Sequence, residues 1–159
     1  MIEVHSRVLI GIRVTAEPSP EWVCNTLIDF IGFDEAPGLL IRDGDILYGW
    51  DFKPRMQNHI EHVVKTPPES PKANAFVERV IGSIQRECTG HYLFFGQTHL
   101  QSTLNDYQTY YVSHRPHQGI DQKIPAKPIM PVPLVRPRNL RITKTSFFSG
   151  LHHSYHLAG

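Results

Sequence analysis

The chain is poor in cysteine. It has two, Cys24 and Cys88, far apart, and they form neither a CxxC pair nor a zinc-ligand spacing. That excludes a disulfide framework and a cysteine-held metal module, and it predicts reduced thiols in the core of a cytosolic protein. Long apolar runs are missing too: nothing approaches the roughly 20 apolar residues that a membrane helix needs. The opening residues MIEVHSRVLIGIRV mix acidic and basic side chains into the apolar run and offer no small-residue cleavage site, so a secretory leader is not expected. Acidic residues are almost absent from the last third. Residues 107–159 hold 7 basic and 1 acidic side chain, whereas residues 1–106 hold 9 basic and 14 acidic. The overall charge of +1 therefore hides an acidic body and a basic tail. The tail is either an ordinary solvated segment or the contact for an anionic partner, most simply nucleic acid. Repeats and low-complexity tracts are absent.

What is present suits one ordinary domain: 159 residues, 40% of them hydrophobic. Val8, Ile10, Ile12 and Val14 alternate as in a strand. Ser19-Pro20-Glu21 reads as a helix start, with a capping hydroxyl, a proline at the first helical position and an acid in the first turn. Leu39-Leu40-Ile41 is long enough for a buried strand ending at Arg42-Asp43-Gly44-Asp45, residues 48–58 fit a short helix, and Ile60–Lys65 reads as another strand. Ser70-Pro71 repeats the helix-start signal, and Phe76, Val77, Val80, Ile81, Ile84 and Cys88 fall on one helical stripe. Thr98 and Gln101 fit a capping box. The helix they open places Leu100, Leu104, Tyr107 and Tyr111 on its packing face and leaves Tyr110 exposed. A proline-rich stretch from Pro125 to Pro137 cannot be regular helix, and Leu140–Phe148 alternates weakly, as an extended segment would. Strands alternating with helices predict an α/β fold, in which sites gather at the carboxyl ends of strands.

Asp43 sits at such an end. Asn74 and Glu78 are four apart on one helix and share a face away from the apolar stripe. Lys72, Arg79 and Arg86 recur every seven residues along the same helix as a basic edge. Carboxylates that hold divalent metal ions, beside cations that hold a DNA backbone, are what a metal-dependent phosphodiester site requires. Singly, each residue has a plainer role. Asp43 could cap the turn before Gly44, Glu78 could be a solvent-facing helix acid, and Asn74 a first-turn polar residue.

The strings Leu40-Ile41-Arg42-Asp43 and Ser70-Pro71-Lys72-Ala73-Asn74-Ala75-Phe76-Val77-Glu78-Arg79 resemble the second and third blocks of the DDE integrase core, shared by retroviral integrases and many bacterial insertion-sequence transposases. The pattern S-P-x-x-N-x-x-V-E-R is matched at every fixed position, and 34 residues separate Asp43 from Glu78, as the family spacing requires. Tyr111-Val112-Ser113-His114-Arg115-Pro116-His117 is similar to the post-core motif of bacterial members, with Val112 in place of the usual Asn. Gly150-Leu151-His152-His153-Ser154-Tyr155 looks like the ending of one bacterial branch.

The resemblance implies an RNase H-like fold: a mixed sheet flanked by helices, here lacking the first strand, with a C-terminal helix and an irregular basic tail. It implies a partial catalytic core over residues 1–92, a post-core helix and Arg-Pro-His motif over 93–128, and a basic proline-rich tail over 129–159. It further implies a two-metal site for Mg²⁺ or Mn²⁺, with Asp43 as the second and Glu78 as the third metal-binding catalytic acid. Asp45 competes with Asp43, because the sequence reads Asp-Gly-Asp where retroviral members read Asp-Asn-Gly. DNA would be the substrate. Lys72, Asn74, Arg79 and Arg86 would contact it, and Arg115 and His117 would serve structurally or at the DNA. The partners would be DNA and a second copy or a full-length transposase, with no membrane, in a bacterial cytoplasm at the nucleoid. Neither Glu3 nor another nearby acid matches the family's first Asp, so the expectation is a truncated, inactive copy. A non-catalytic DNA-binding or dimerisation module that modulates a full-length transposase is the alternative. His152, His153 and His156 suggest no fourth ligand and are expected in a flexible tail rather than at a metal.

Overall fold

A computed structural model describes residues 1–32, 37–67, 71–126 and 141–158, with only the backbone described at 71–73 and 158. The Ser70 cap, most of the proline-rich stretch and the side chain of Lys72 lie outside the described residues. The elements run α1 (Pro20–Ile31), β1 (Leu39–Arg42), α2 (Phe52–Met56), β2 (His62–Lys65), α3 (Pro71–Glu87), α4 (Gln97–Ser113), β3 (Arg141–Phe147) and β4 (His152–Ala158). Local chemistry explains the start of α1: the Ser19 hydroxyl accepts from the Trp22 amide at 3.1 Å, and Pro20 opens the helix. Gly32 ends it at φ 68°, a backbone region that glycine enters without steric cost.

Two apolar clusters organise the chain. In one, Cys24, Phe52, Met56 and Ile60 are buried under Leu27, Ile28, Leu40 and Val63, which joins α1 and α2 to the sheet. In the other, Leu9, Val80, Cys88, Tyr107, Tyr110 and Tyr111 join the N-terminal segment, α3 and α4, with Phe147 and Phe148 packed against them. Both thiols are free and buried, as expected. Burial pushes the Cys88 thiol up to about 11, so it stays protonated and unreactive near neutral pH.

The sheets differ from expectation. β1 and β2 pair in parallel, Leu39 opposite His62 through Arg42 opposite Lys65, and β3 and β4 pair antiparallel, Arg141 opposite Ala158 through Phe147 opposite His152. The described residues thus hold two separate two-stranded sheets in place of one mixed sheet. The expected burial of Leu39-Leu40-Ile41 is corrected: Leu39 is 53% and Ile41 47% exposed, because only Leu40 turns onto the Phe52 cluster. The irregular tail is corrected over 141–158, where the β3–β4 hairpin forms. It fixes the terminal histidines in β4, and there His152 donates to the Glu87 carbonyl at 2.6 Å.

The strand expected over residues 8–14 does not form. One bridge, Ile2 to Leu9, is the extent of its pairing. Glutamines of α4 take its backbone groups instead. Gln108 donates to the Leu9 and Ile10 carbonyls at 3.0 and 2.8 Å, Gln101 to Ile12 at 3.1 Å, and Gln97 to Val14 at 3.0 Å. The Val14 amide donates to Gln101 at 2.8 Å. Gln97, Gln101 and Gln108 fall on one helical face, which lets them track an extended chain. This also corrects the capping box. α4 begins at Gln97 after Gly96, which makes no side-chain cap, and Gln101 reaches outward. Tyr110 is corrected as well: it is buried, stacked on His152 with ring centroids 4.8 Å apart, because the distant hairpin covers it.

Candidate functional site

Asp43 stands just past β1, beside the end of β2 where Lys65 pairs with Arg42. Its side chain accepts from the Asp45 amide at 3.2 Å, and Asp45 in turn accepts from Leu47 at 2.8 Å, which caps a single 3-10 turn over Ile46–Tyr48. Each aspartate keeps one oxygen without a partner among the described residues. Gly44 leaves room for Lys65, since a methyl group there would meet the lysine Cε at 3.0 Å. Arg42 donates to the Asp43 carbonyl at 2.9 Å and lies over the rings of Tyr48 and Phe52, 4.7 and 5.1 Å from their centroids. Burial raises the Tyr48 hydroxyl pKa first, and the charge of Asp43 raises it further.

Glu78 is exposed midway along α3. Among the described residues it makes no hydrogen bond or ion pair, and no group of three or more His, Cys, Asp or Glu side chains converges to hold a metal. Tyr48, beside the Asp43 turn, and Val77, next to Glu78, line one apolar cavity of about 310 Å³. The 3-10 turn that follows Asp43 and helix α3 therefore border a common cavity, and neither Asp43 nor Glu78 is among its lining residues. Asn74 is half-buried one turn before Glu78. The donors at the strand tip are hard oxygens, which suit Mg²⁺ or Mn²⁺, and such ions commonly take only one or two protein carboxylates and complete their shell with water and phosphate.

A second constellation lies on another face of α3. Successive helical residues step by about 100°, so Arg79 projects well away from Glu78. Arg79 and Arg86 line a cavity of about 360 Å³ together with Arg7, Phe76, Arg115 and His117. Arg115 is already committed. It grips Glu87 bidentately, with Nε to Oε2 at 2.7 Å and Nη2 to Oε1 at 2.6 Å, and Tyr107 donates to the same carboxylate at 3.0 Å. Burial alone would raise the Glu87 pKa, but the Arg115 hydrogen bonds and charge and the Tyr107 hydroxyl outweigh it and hold the carboxyl low. His117 is buried. Its Nε2 donates to the Tyr111 carbonyl at 2.9 Å, which leaves Nδ1 to accept from Arg115 at 3.4 Å. Desolvation lowers its pKa, in keeping with that neutral form. Arg115 and His117 thus lock the end of α4 to the end of α3.

Sequence reasoning missed Glu87, Tyr107 as its partner, and Arg7. A signal existed for Glu87: it follows Val80 by seven residues and so projects from the apolar stripe, where an acid needs a buried partner. Arg7 gives no such sign, because its place depends on the turn that brings the N-terminal segment onto Phe76.

A helix bearing Glu78, a second helix closed against it by Arg115, and a strand ending in acids make up the candidate site. Residues 58–125, under half of the chain, match the family described as Integrase core domain. The matched segment contains Glu78 and Arg115-Pro116-His117, while Asp43 lies before it. No curated protein matches the chain. The family acts on DNA and is generally metal-dependent. No helix among the described residues is long and apolar enough to cross a membrane.

Proposed function

We propose that the chain is an integrase-core protein of the DDE, RNase H-like type, for which Asp43 and Glu78 are the metal-binding acids and Mg²⁺ or Mn²⁺ the metal. The observation that carries this reading is the integrase-core segment over residues 58–125 with Glu78 on α3. Bound metal would supply activation of a water or 3′-hydroxyl and stabilisation of the leaving oxygen. Asp43 and Glu78 would hold it, with Asp45 as the competitor of Asp43. Lys72, Asn74 and Arg79 would hold the DNA backbone. Two acids leave much of the charge of two dications unbalanced, so this chain by itself is an impaired copy that gives little or no strand transfer.

Manganese titration followed by electron paramagnetic resonance tests the pairing of the acids. Weak Mn²⁺ binding should fall in both Asp43→Asn and Glu78→Gln, and binding untouched by Glu78→Gln would sink it. With DNA ends and Mg²⁺ or Mn²⁺, joining should be near background. Metal-dependent joining that vanishes in Glu78→Gln would show the copy to be active.

A second reading is a non-catalytic module that binds DNA, or a full-length relative, without metal. The arginine-lined cavity favours it. DNA binding that is salt-dependent and unchanged by chelator is its mark.

A further inference from the structure

We propose that the cavity between the N-terminal turn, α3 and the Arg115–Gln122 segment is a phosphate-binding site, with Arg7 and Arg79 as its principal ligands. The proposal rests on the reading of the chain as a DNA-acting protein for the source of that phosphate, and on the cavity alone for its chemistry.

Among the described residues the walls carry Arg7, Arg79, Arg86 and Arg115 and no Asp or Glu. Among the described residues, only Arg115 is neutralised, by Glu87. Among the described residues, Arg7, Arg79 and Arg86 make no ion pair. Like charges gathered on one concavity repel one another, and an anion removes that repulsion.

Arg7 shows most directly what is missing. Its Nη1 is shut off from solvent and finds no hydrogen-bond acceptor among the described residues. A buried charged donor left unsatisfied is costly, and the charge of an anion in the cavity beside this guanidinium would offset part of that cost. The side chain is also held in place before any ligand arrives. Its guanidinium lies 4.1 Å above the centre of the Phe76 ring. Its backbone sits at φ 65°, an uncommon region for a residue with a side chain. The absence of a side chain at Gly119 admits it, since a methyl group there would stand 3.1 Å from the Arg7 Nε. A planar guanidinium held in a fixed position matches a phosphate's paired oxygens. Ser83, Gln118 and Gln122 add neutral polar groups to the wall, and the volume of about 360 Å³ has room for a phosphate with its attached sugar.

The phosphate could be a strand's terminal phosphomonoester or an internal phosphodiester. Calorimetric titration of the full chain, with no metal, separates them by using inorganic phosphate, an oligonucleotide duplex with 5′-phosphates, and the same duplex without them. Arg7→Gln and Arg79→Gln should each weaken phosphate and duplex binding by about tenfold, the effect of one charge-assisted contact, and each should flatten the salt dependence of duplex binding by about one unit of slope. Arg7→Lys should recover part of the loss. Arg79 is exposed on a helix, so its replacement leaves folding intact if Arg7→Gln does not, and circular dichroism checks this. A preference for the phosphorylated duplex assigns a terminal phosphate, and equal affinities assign the backbone. If duplex and phosphate bind equally well to wild type, Arg7→Gln and Arg79→Gln, the cavity is not the site, although DNA binding stands. If phosphate binds through Arg7 and Arg79 while no duplex binds at low salt, the site stands and the DNA-acting reading falls. If wild type binds neither phosphate nor duplex, both fall.

Discussion

Arg115→Ala should destabilise the protein by about 3 kcal/mol, because removing one partner of a largely buried pair strands the other, and should lower the melting temperature by about 6–12 °C for a chain of this size. Each side chain of the pair is only 23% exposed, and Glu87 also receives the Tyr107 hydroxyl, so water cannot easily replace the guanidinium. Glu87→Gln should cost less, since an amide keeps an acceptor for Arg115. The double replacement Glu87→Met with Arg115→Met should recover much of the loss, because apolar side chains of similar length remove both desolvation penalties together. A thermal-melt mutant cycle measures all three, and strict additivity of the two methionine replacements would show the pair to be energetically unlinked.

The same pair fixes an acid dependence. The folded state holds the Glu87 carboxyl below its ordinary value of 4.5. The unfolded chain therefore binds the proton first as pH falls. The contribution is complete above the ordinary value and is lost as pH drops from there through the lower, folded one. His117 acts in the same direction at higher pH. Its folded pKa lies below the ordinary 6.5, so the neutral ring's contribution declines as pH falls from that value. Between pH 7 and 3, Glu87→Gln should lose stability less steeply than the wild type.

Phe52→Ala should cost about 3–5 kcal/mol, the range for truncating a fully buried aromatic side chain. Phe52 has no exposed surface, meets Tyr48 edge to face at 4.9 Å between centroids, and lies under the Arg42 guanidinium. The cavity left behind would free both neighbours of the Asp43 turn, so under the proposed function Mn²⁺ binding at that turn should weaken together with stability. Phe52→Leu, which refills most of the space, should restore the larger share of both. Urea denaturation gives the stability change, and a loss under 1 kcal/mol would mean that the cluster around Phe52 is not a packed core. Phe52 lies in one cluster and Arg115 lies against Tyr111 of the other, so their combined effect should equal the sum of the two to within about 0.5 kcal/mol.

Features set by neighbours in sequence were legible in it. The Ser19 cap, the stripe on α3, the two buried thiols and the end of β1 at Arg42 all follow from spacing and local chemistry. Features set by distant partners were not. Tyr110 reads as exposed until β3 and β4 arrive from some forty residues away, and residues 8–14 read as a strand until their carbonyls are found on glutamines of α4. Thr98-x-x-Gln101 has the form of a cap, but Gln101 has a stronger use across the molecule. At the candidate site, the residue types and their spacing offered Asp43, Glu78 and Arg79 as candidates. The presence of Arg7 beside Arg79 depends on a turn with a positive φ that no periodicity announces.

The fastening of residues 9–14 by amide side chains has a kinetic corollary. A backbone ladder opens as a unit, whereas these attachments can release one at a time, each with the rotation of a single glutamine. Deuterium uptake at neighbouring amides along this stretch should then proceed at unrelated rates. Deamidation at Gln101, which turns a donor into a charged acceptor facing the Ile12 carbonyl, should loosen the middle while both ends stay attached.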